Sequence, residues 1–356
     1  MKRLRCRTNQ LVIIVAGCLA LTFTAPTGMA RAAVLPVETG AGSGEQASAQ
    51  PDSPPEETAP KRTPPWAETG IDIGFHLRRD ALDWNIAGQK DGTNPNVLSE
   101  LTWDDLVVYE LSLGFSTLIK KRIRFKGYLN YGRIVDGENQ DSDYQADDRR
   151  EEFSRSNNDA GDGSTFDVSL GAGYALQLGT EVITFIPMAG LSLHRQNLTM
   201  TDGYQTITWD QGPSLGPFSG LDSSYEAQWW GPWIGLDVTL DIDTGWKALP
   251  QVFPHAGVEY HWAEYYAQAD WNLRDDFEHP KSFEHDARGT GVRMMVGIGT
   301  QFNENWSMEF GYAQQRWSAT DGIDRVFFSD GTRAETRLNE VNWKSHSLSI
   351  AVRYRF

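Results

Sequence analysis

The stretch "SLSIAVRYRF" (Ser347 to Phe356) alternates without a break. Leu348, Ile350, Val352, Tyr354 and Phe356 take one side, with Ser349, Ala351, Arg353 and Arg355 on the other. Side chains two apart on a strand share a face, so one surface is apolar and the other mostly polar. A transmembrane barrel strand needs that division, with lipid outside and a polar lumen inside. A soluble sandwich strand shows it too, so the decision rests on recurrence and on how the repeats are joined.

The pattern recurs. "IDIGFHL" aligns Ile71, Ile73, Phe75 and Leu77, and "VVYELSLGF" aligns Val107, Tyr109, Leu111, Leu113 and Phe115. "FDVSLGAGY" (Phe166 to Tyr174) and "WGPWIGLDVTL" (Trp230 to Leu240) repeat it. Further candidates at 122–134, 181–197, 252–270, 287–302 and 306–318, with 341–356, bring the count to ten. Short connections fall near 120, at 178–180 and at 303–305, with an intermediate one at 243–251. Long polar ones fall near 80–97, 135–163, 198–224, 271–286 and 319–340. Short turns alternating with long outer loops mark an outer-membrane barrel, and a sandwich has no reason to alternate them. No run approaches the ~18 apolar residues of a membrane helix.

The expected fold is therefore all-β, a transmembrane antiparallel barrel of about ten strands in the outer membrane of a Gram-negative bacterium, its long loops facing the exterior. Thirteen tryptophans, several at strand ends (Trp103, Trp229, Trp306, Trp343), predict aromatic girdles. The cluster from Trp229 to Trp233 reads as a membrane anchor. So narrow a lumen is filled by side chains, and Glu110, Arg124, Lys126 and Glu259 are expected inside it. Activity then belongs at the long-loop mouth; a narrow ion channel ranks behind it.

The N-terminus reads as an export signal over 1–32: Lys2, Arg3, Arg5 and Arg7 precede the apolar "LVIIVAGCLALTF", and "ARA" offers a cleavage site after Ala32. "VAGC", ending at Cys18, resembles a lipoprotein box, but the apolar run continues past it. Cleavage after Ala32 would remove both cysteines, leaving no thiol chemistry. Residues 33–66, rich in Pro, Glu, Ser and Ala, read as a disordered tether, and 67–356 as the barrel. The formal charge is −16. Loss of the five basic signal residues makes it about −21, which argues against nucleic acid and favours cationic partners. No Gly-rich phosphate loop, CxxC pair, HExxH or GxSxG motif is present.

"NQDSDYQ" (Asn139 to Gln145) sets Asp141 and Asp143 on one face of a strand, just beyond "YLNYGRIVDGE". Three readings stay open: a solvated acidic loop, a pair gripping a reactive water, or a calcium site using Asp136, Glu138, Asn139, Asp141 and Asp143. The last lacks EF-hand spacing and its glycine.

"NYGRIVDGENQDSDY", "WWGPWIGLDV", "EFGYAQQRW" and the closing "RYRF" resemble segments of the omptins, outer-membrane endopeptidases on ten-stranded barrels. The likeness runs from about residue 70 to 356. It implies that Asp141 and Asp143 hold the attacking water opposite a histidine–aspartate pair on the fourth loop. It also implies basic peptide substrates and a lipopolysaccharide requirement; a monomer with no other cofactor is expected.

In "LRDDFEHPKSFEHDARG" the histidine is His279, but Phe277 stands where the resemblance expects the orienting acid. Asp275 and Asp276 are the candidates to replace it, and His285 is a second histidine with Phe283 two before it. The acid that would select a basic side chain also lacks a match: Asp80 and Asp83 flank Leu82 at the counted position. A non-catalytic adhesin or structural barrel is the alternative function.

Overall fold

The computed structural model describes residues 69–177, 183–210, 212–246, 249 and 251–356; the signal and tether expected at 1–66 lie outside them. Eleven long strands are all antiparallel: β1 (Gly70–Ile86), β2 (Ser99–Ile119), β3 (Ile123–Ala146), β4 (Arg150–Asp159), β5 (Gly163–Tyr174), β6 (Ile183–Ile207), β7 (Asp222–Leu240), β8 (Gln251–Asp270), β9 (Phe283–Gln301), β10 (Trp306–Phe327) and β11 (Arg333–Arg355). β4 and β5 both lie between β3 and β6 and form one stave. β11 pairs with β1 from Gly70↔Arg355 to Ile86↔Leu338, closing a ring of ten.

The lipid-facing belt is the expected alternation. Ile73, Leu111, Leu170, Leu191, Met294 and Leu348 are more than half exposed, although large and apolar. Oily surface of that extent is stable only against lipid.

The strands are longer than their hydropathy indicates. β3 has 24 residues, β6 25 and β11 23, while ~9–11 tilted residues cross a bilayer. The ladder therefore continues well past the belt, and most of the long loops expected at 135–163 and 319–340 are strand. The remaining loops on that side are 87–98, 147–149, 208–221, 271–282 and 328–332. Beyond the lipid, outward positions such as Lys344 are exposed and polar, while Val341 and Trp343 still point inward. Hydropathy alternation loses its outward apolar half there, whereas hydrogen bonding does not.

The lumen is filled in layers. Near the short-turn end, Lys126 bonds Asp237 at 2.9 Å and Glu259 at 3.2 Å, and Arg353 bonds Asp72. Arg124 joins them around a cavity of about 310 Å³. Higher, Arg78 reaches Asp80 (2.5 Å), Glu110 (2.9 Å) and Asp167 (2.6 Å), and Asp167 also bonds His194 at 2.9 Å. All are almost wholly buried; such charges persist only when paired and hydrogen-bonded.

Above them lies an aromatic plug. Trp103, Trp229 and Trp343 are fully buried. Trp343 stacks on Trp317, and Trp103 on Tyr225. This corrects their expected place in a girdle: above the belt these positions point inward, where their rings pack on one another as core. Of the tryptophans expected at the belt, Trp306 and Trp230 are exposed, while Trp233 points inward.

Candidate active site

The site lies where the ring rises above the belt. On β3, Asp141 and Asp143 sit opposite Leu101 and Ser99 of β2. They share the face of Asn139, which is buried and binds Asn158 at 2.7 Å. Burial pushes the Asp141 carboxyl well above its ordinary range, and the charge of Asp143 pushes it further. Burial also raises Asp143, against a hydrogen bond from Ser99. Two desolvated carboxyls this close resist double ionisation, so the pair keeps one proton to higher pH than an isolated aspartate would. The cation whose charge acts on both is Arg274, from the loop 271–282.

That loop is ordered by its neighbours. Phe277 forms an isolated β-bridge with Phe328, their rings 5.9 Å apart, and the Ser329 amide donates to the Asp276 carbonyl. Phe277 therefore joins one loop to the next, and the Arg274 guanidinium lies 4.0 Å over its ring. Arg274 also grips Asp276 through two bonds, at 2.9 and 2.8 Å. Asp276, expected to assist the histidine, is thus held by the arginine, whose bonds pull its carboxyl below the ordinary range. Asp275 acts on His279 by charge only.

The acid on His279 is Asp270, the last residue of β8, with Oδ1 2.6 Å from Nδ1. The ring is about one-third exposed. Its pKa is raised above the usual histidine value by the Asp270 bond first, and also by a bond to the Arg274 backbone and the charge of Asp275. Asp270 lies nine positions before His279, across a loop, so strand spacing could not reveal the pair. The signal available was an aspartate closing a predicted strand, 252–270, just before the histidine's loop.

The other candidates are structural. His285 is fully buried between Asp324 (3.3 Å) and the Tyr225 hydroxyl (2.8 Å), with Trp84 edge-on at 4.8 Å. Asp80 belongs to the Arg78 layer and Leu82 to the core, while Asp83 accepts from Asn342. Among the described residues, no three His, Cys, Asp or Glu side chains are grouped to hold a metal.

Three comparisons bear on these features. The outer membrane protease OmpT from Escherichia coli superposes with a TM-score of 0.63 at 14% identity, over 84% of this chain and 99% of that one. At that identity the likeness is one of fold. The translocator domain of the autotransporter NalP from Neisseria meningitidis matches at 12% identity, over 81% of this chain and 88% of that one, with a TM-score of 0.35. No curated protein sequence matches. The family model described as "Pom: Protochlamydia outer membrane protein" matches residues 71–356, most of the ring from its first strand to its last. The chain belongs to that family of outer-membrane proteins.

Proposed function

We propose that this protein is an outer-membrane endopeptidase with its long-loop end facing the cell exterior. The observation that carries the reading is the 2.6 Å bond between Asp270 and His279, which supplies the orienting acid that the sequence lacks two residues before the histidine. In this scheme Asp270 holds the Nδ1–H tautomer and stabilises the imidazolium that forms. Water held by Asp141 and Asp143 attacks the peptide carbonyl and gives its proton to His279. The proton shared by the aspartates neutralises the developing oxyanion; the amine then leaves with the histidine's proton as the diol returns a proton to the aspartate pair. Lipopolysaccharide supports the monomer in this scheme.

The test uses purified protein with lipopolysaccharide and internally quenched peptides. Cleavage should rise as pH passes upward through the raised His279 pKa, above the ordinary ~6.5. Asp141→Ala and His279→Ala should each lose about 10²–10⁴-fold. Asp270→Asn should lower the rate and move the limb to lower pH, whereas Asp276→Asn should leave the limb in place.

A second reading, a catalytically lapsed adhesin or structural barrel, is favoured by one fact: the charge acting on both aspartates is that of Arg274. Well-folded protein that cleaves no peptide between pH ~5 and ~8 would establish it.

A further inference from the structure

We propose that Arg316 of β10 and Lys344 of β11 bind the phosphate monoester of a membrane lipid, at the rim of the lipid belt and apart from the mouth. The two residues stand directly opposite each other in the β10–β11 ladder, both exposed on the outer face. Trp306, exposed at the short-turn end of β10, begins a run of eleven residues that ends at Arg316. A tilted strand crosses a bilayer in ~9–11 residues, so the pair emerges at headgroup level. One outward position lower, Gln314 faces His346, whose ring bonds the Tyr312 hydroxyl at 2.8 Å. Below these the outer face is apolar: Phe310 on β10, Leu348 and Ile350 on β11, and Val296 on β9 are exposed.

Like charges directly opposite on neighbouring strands repel, and the wall avoids this elsewhere along its rim. Arg133 meets Asp162 at 2.5 Å, Arg288 meets Glu264 at 3.2 Å, Arg79 meets Asp105 at 3.3 Å, and Arg195 meets Glu226. Among the described residues, Arg316 and Lys344 make no ion pair. The acids on the same outer rows lie above them and are engaged. Asp83, opposite Asn342, accepts from that amide at 2.9 Å, and Lys344 reaches it by charge alone. Glu340 accepts from Asn85 at 3.0 Å, and Asp321 is held by Arg337. Asp286 stands exposed opposite Ile323, a further strand segment away. Two adjacent cations match a phosphate monoester, which carries close to two charges near neutral pH. The guanidinium offers a planar fork and the ammonium a point charge. The apolar rows beneath select a lipid over a free ion, because acyl chains attached to that phosphate would lie along them.

The experiment counts lipids bound to the folded protein in neutral detergent by native mass spectrometry. The probes are phosphatidic acid (a monoester), phosphatidylglycerol (a diester of one charge) and phosphatidylcholine (zwitterionic). Phosphatidic acid should bind most tightly and phosphatidylcholine least. Arg316→Gln combined with Lys344→Gln should weaken phosphatidic acid binding by about tenfold. Arg195→Gln, at an arginine already paired with Glu226, should leave it unchanged. Arg316→Lys combined with Lys344→Arg keeps both charges and should keep the binding, which separates lost charge from lost folding. Equal binding of phosphatidic acid and either other lipid, or undiminished binding by the double glutamine variant, would overturn the proposal. Displacement of phosphatidic acid by excess inorganic phosphate would overturn it too, leaving a site for a free ion only. None of these outcomes bears on peptide cleavage at the mouth.

Discussion

At the scale of single residues, Asp141 is held in a state that costs stability in its charged form. Its folded pKa is raised by burial and by Asp143, so between the ordinary value near 3.8 and the raised one the folded chain binds more protons than the unfolded chain. Stability therefore falls as pH rises through that window. Asp141→Asn should raise the unfolding midpoint at neutral pH, and the gain should disappear below about pH 4. Calorimetric scans of both proteins at several pH values check this, and equal midpoints throughout would mean that the carboxyl is not under strain. That Asp141 and Asp143 share one face of a strand was legible in the sequence, because strand parity is local. Asp270 was not, because a loop brings it to His279.

At the scale of elements, each stave has two halves in series, one facing lipid and one facing water. Hydropathy reported the first and took the second for loop. Leu111, 65% exposed on β2, lies in the lipid half, and Leu111→Arg should cost about 2–4 kcal/mol in denaturant unfolding from vesicles. Tyr204, 51% exposed on β6 beyond Arg195, should accept arginine for less than about 1 kcal/mol, as expected outside the midplane. Equal costs would move the belt. Trp103, Trp229 and Trp343 were misplaced for the same reason: strand ends judged by hydropathy are belt ends, and the ring continues above them as a closed core.

At the scale of the whole molecule, the Arg78 layer and the tryptophan stack above it separate the short-turn cavity from the mouth. Planar bilayer recordings should therefore show no stable open-channel steps. Arg78→Ala leaves Asp80, Glu110 and Asp167 without their common cation. Removing one partner of a buried ion group costs about 3–5 kcal/mol. The variant should lose stability without gaining conductance, because Trp317 and Trp343 remain stacked. Stepwise currents from wild type would show a continuous path.

The closing seam carries a consequence for how the chain is made. Gly70 pairs with Arg355, so the contact that ends the ring joins the two most distant parts of the folded sequence. Until β11 docks, β1 and β10 each present an unpaired edge, a template for strands of other molecules. Long-range pairing of this kind is slow, since its loop entropy is spent before its hydrogen bonds form. The last pairing therefore shields two edges at once, and the ring is free of open edges only when its final strand is in place.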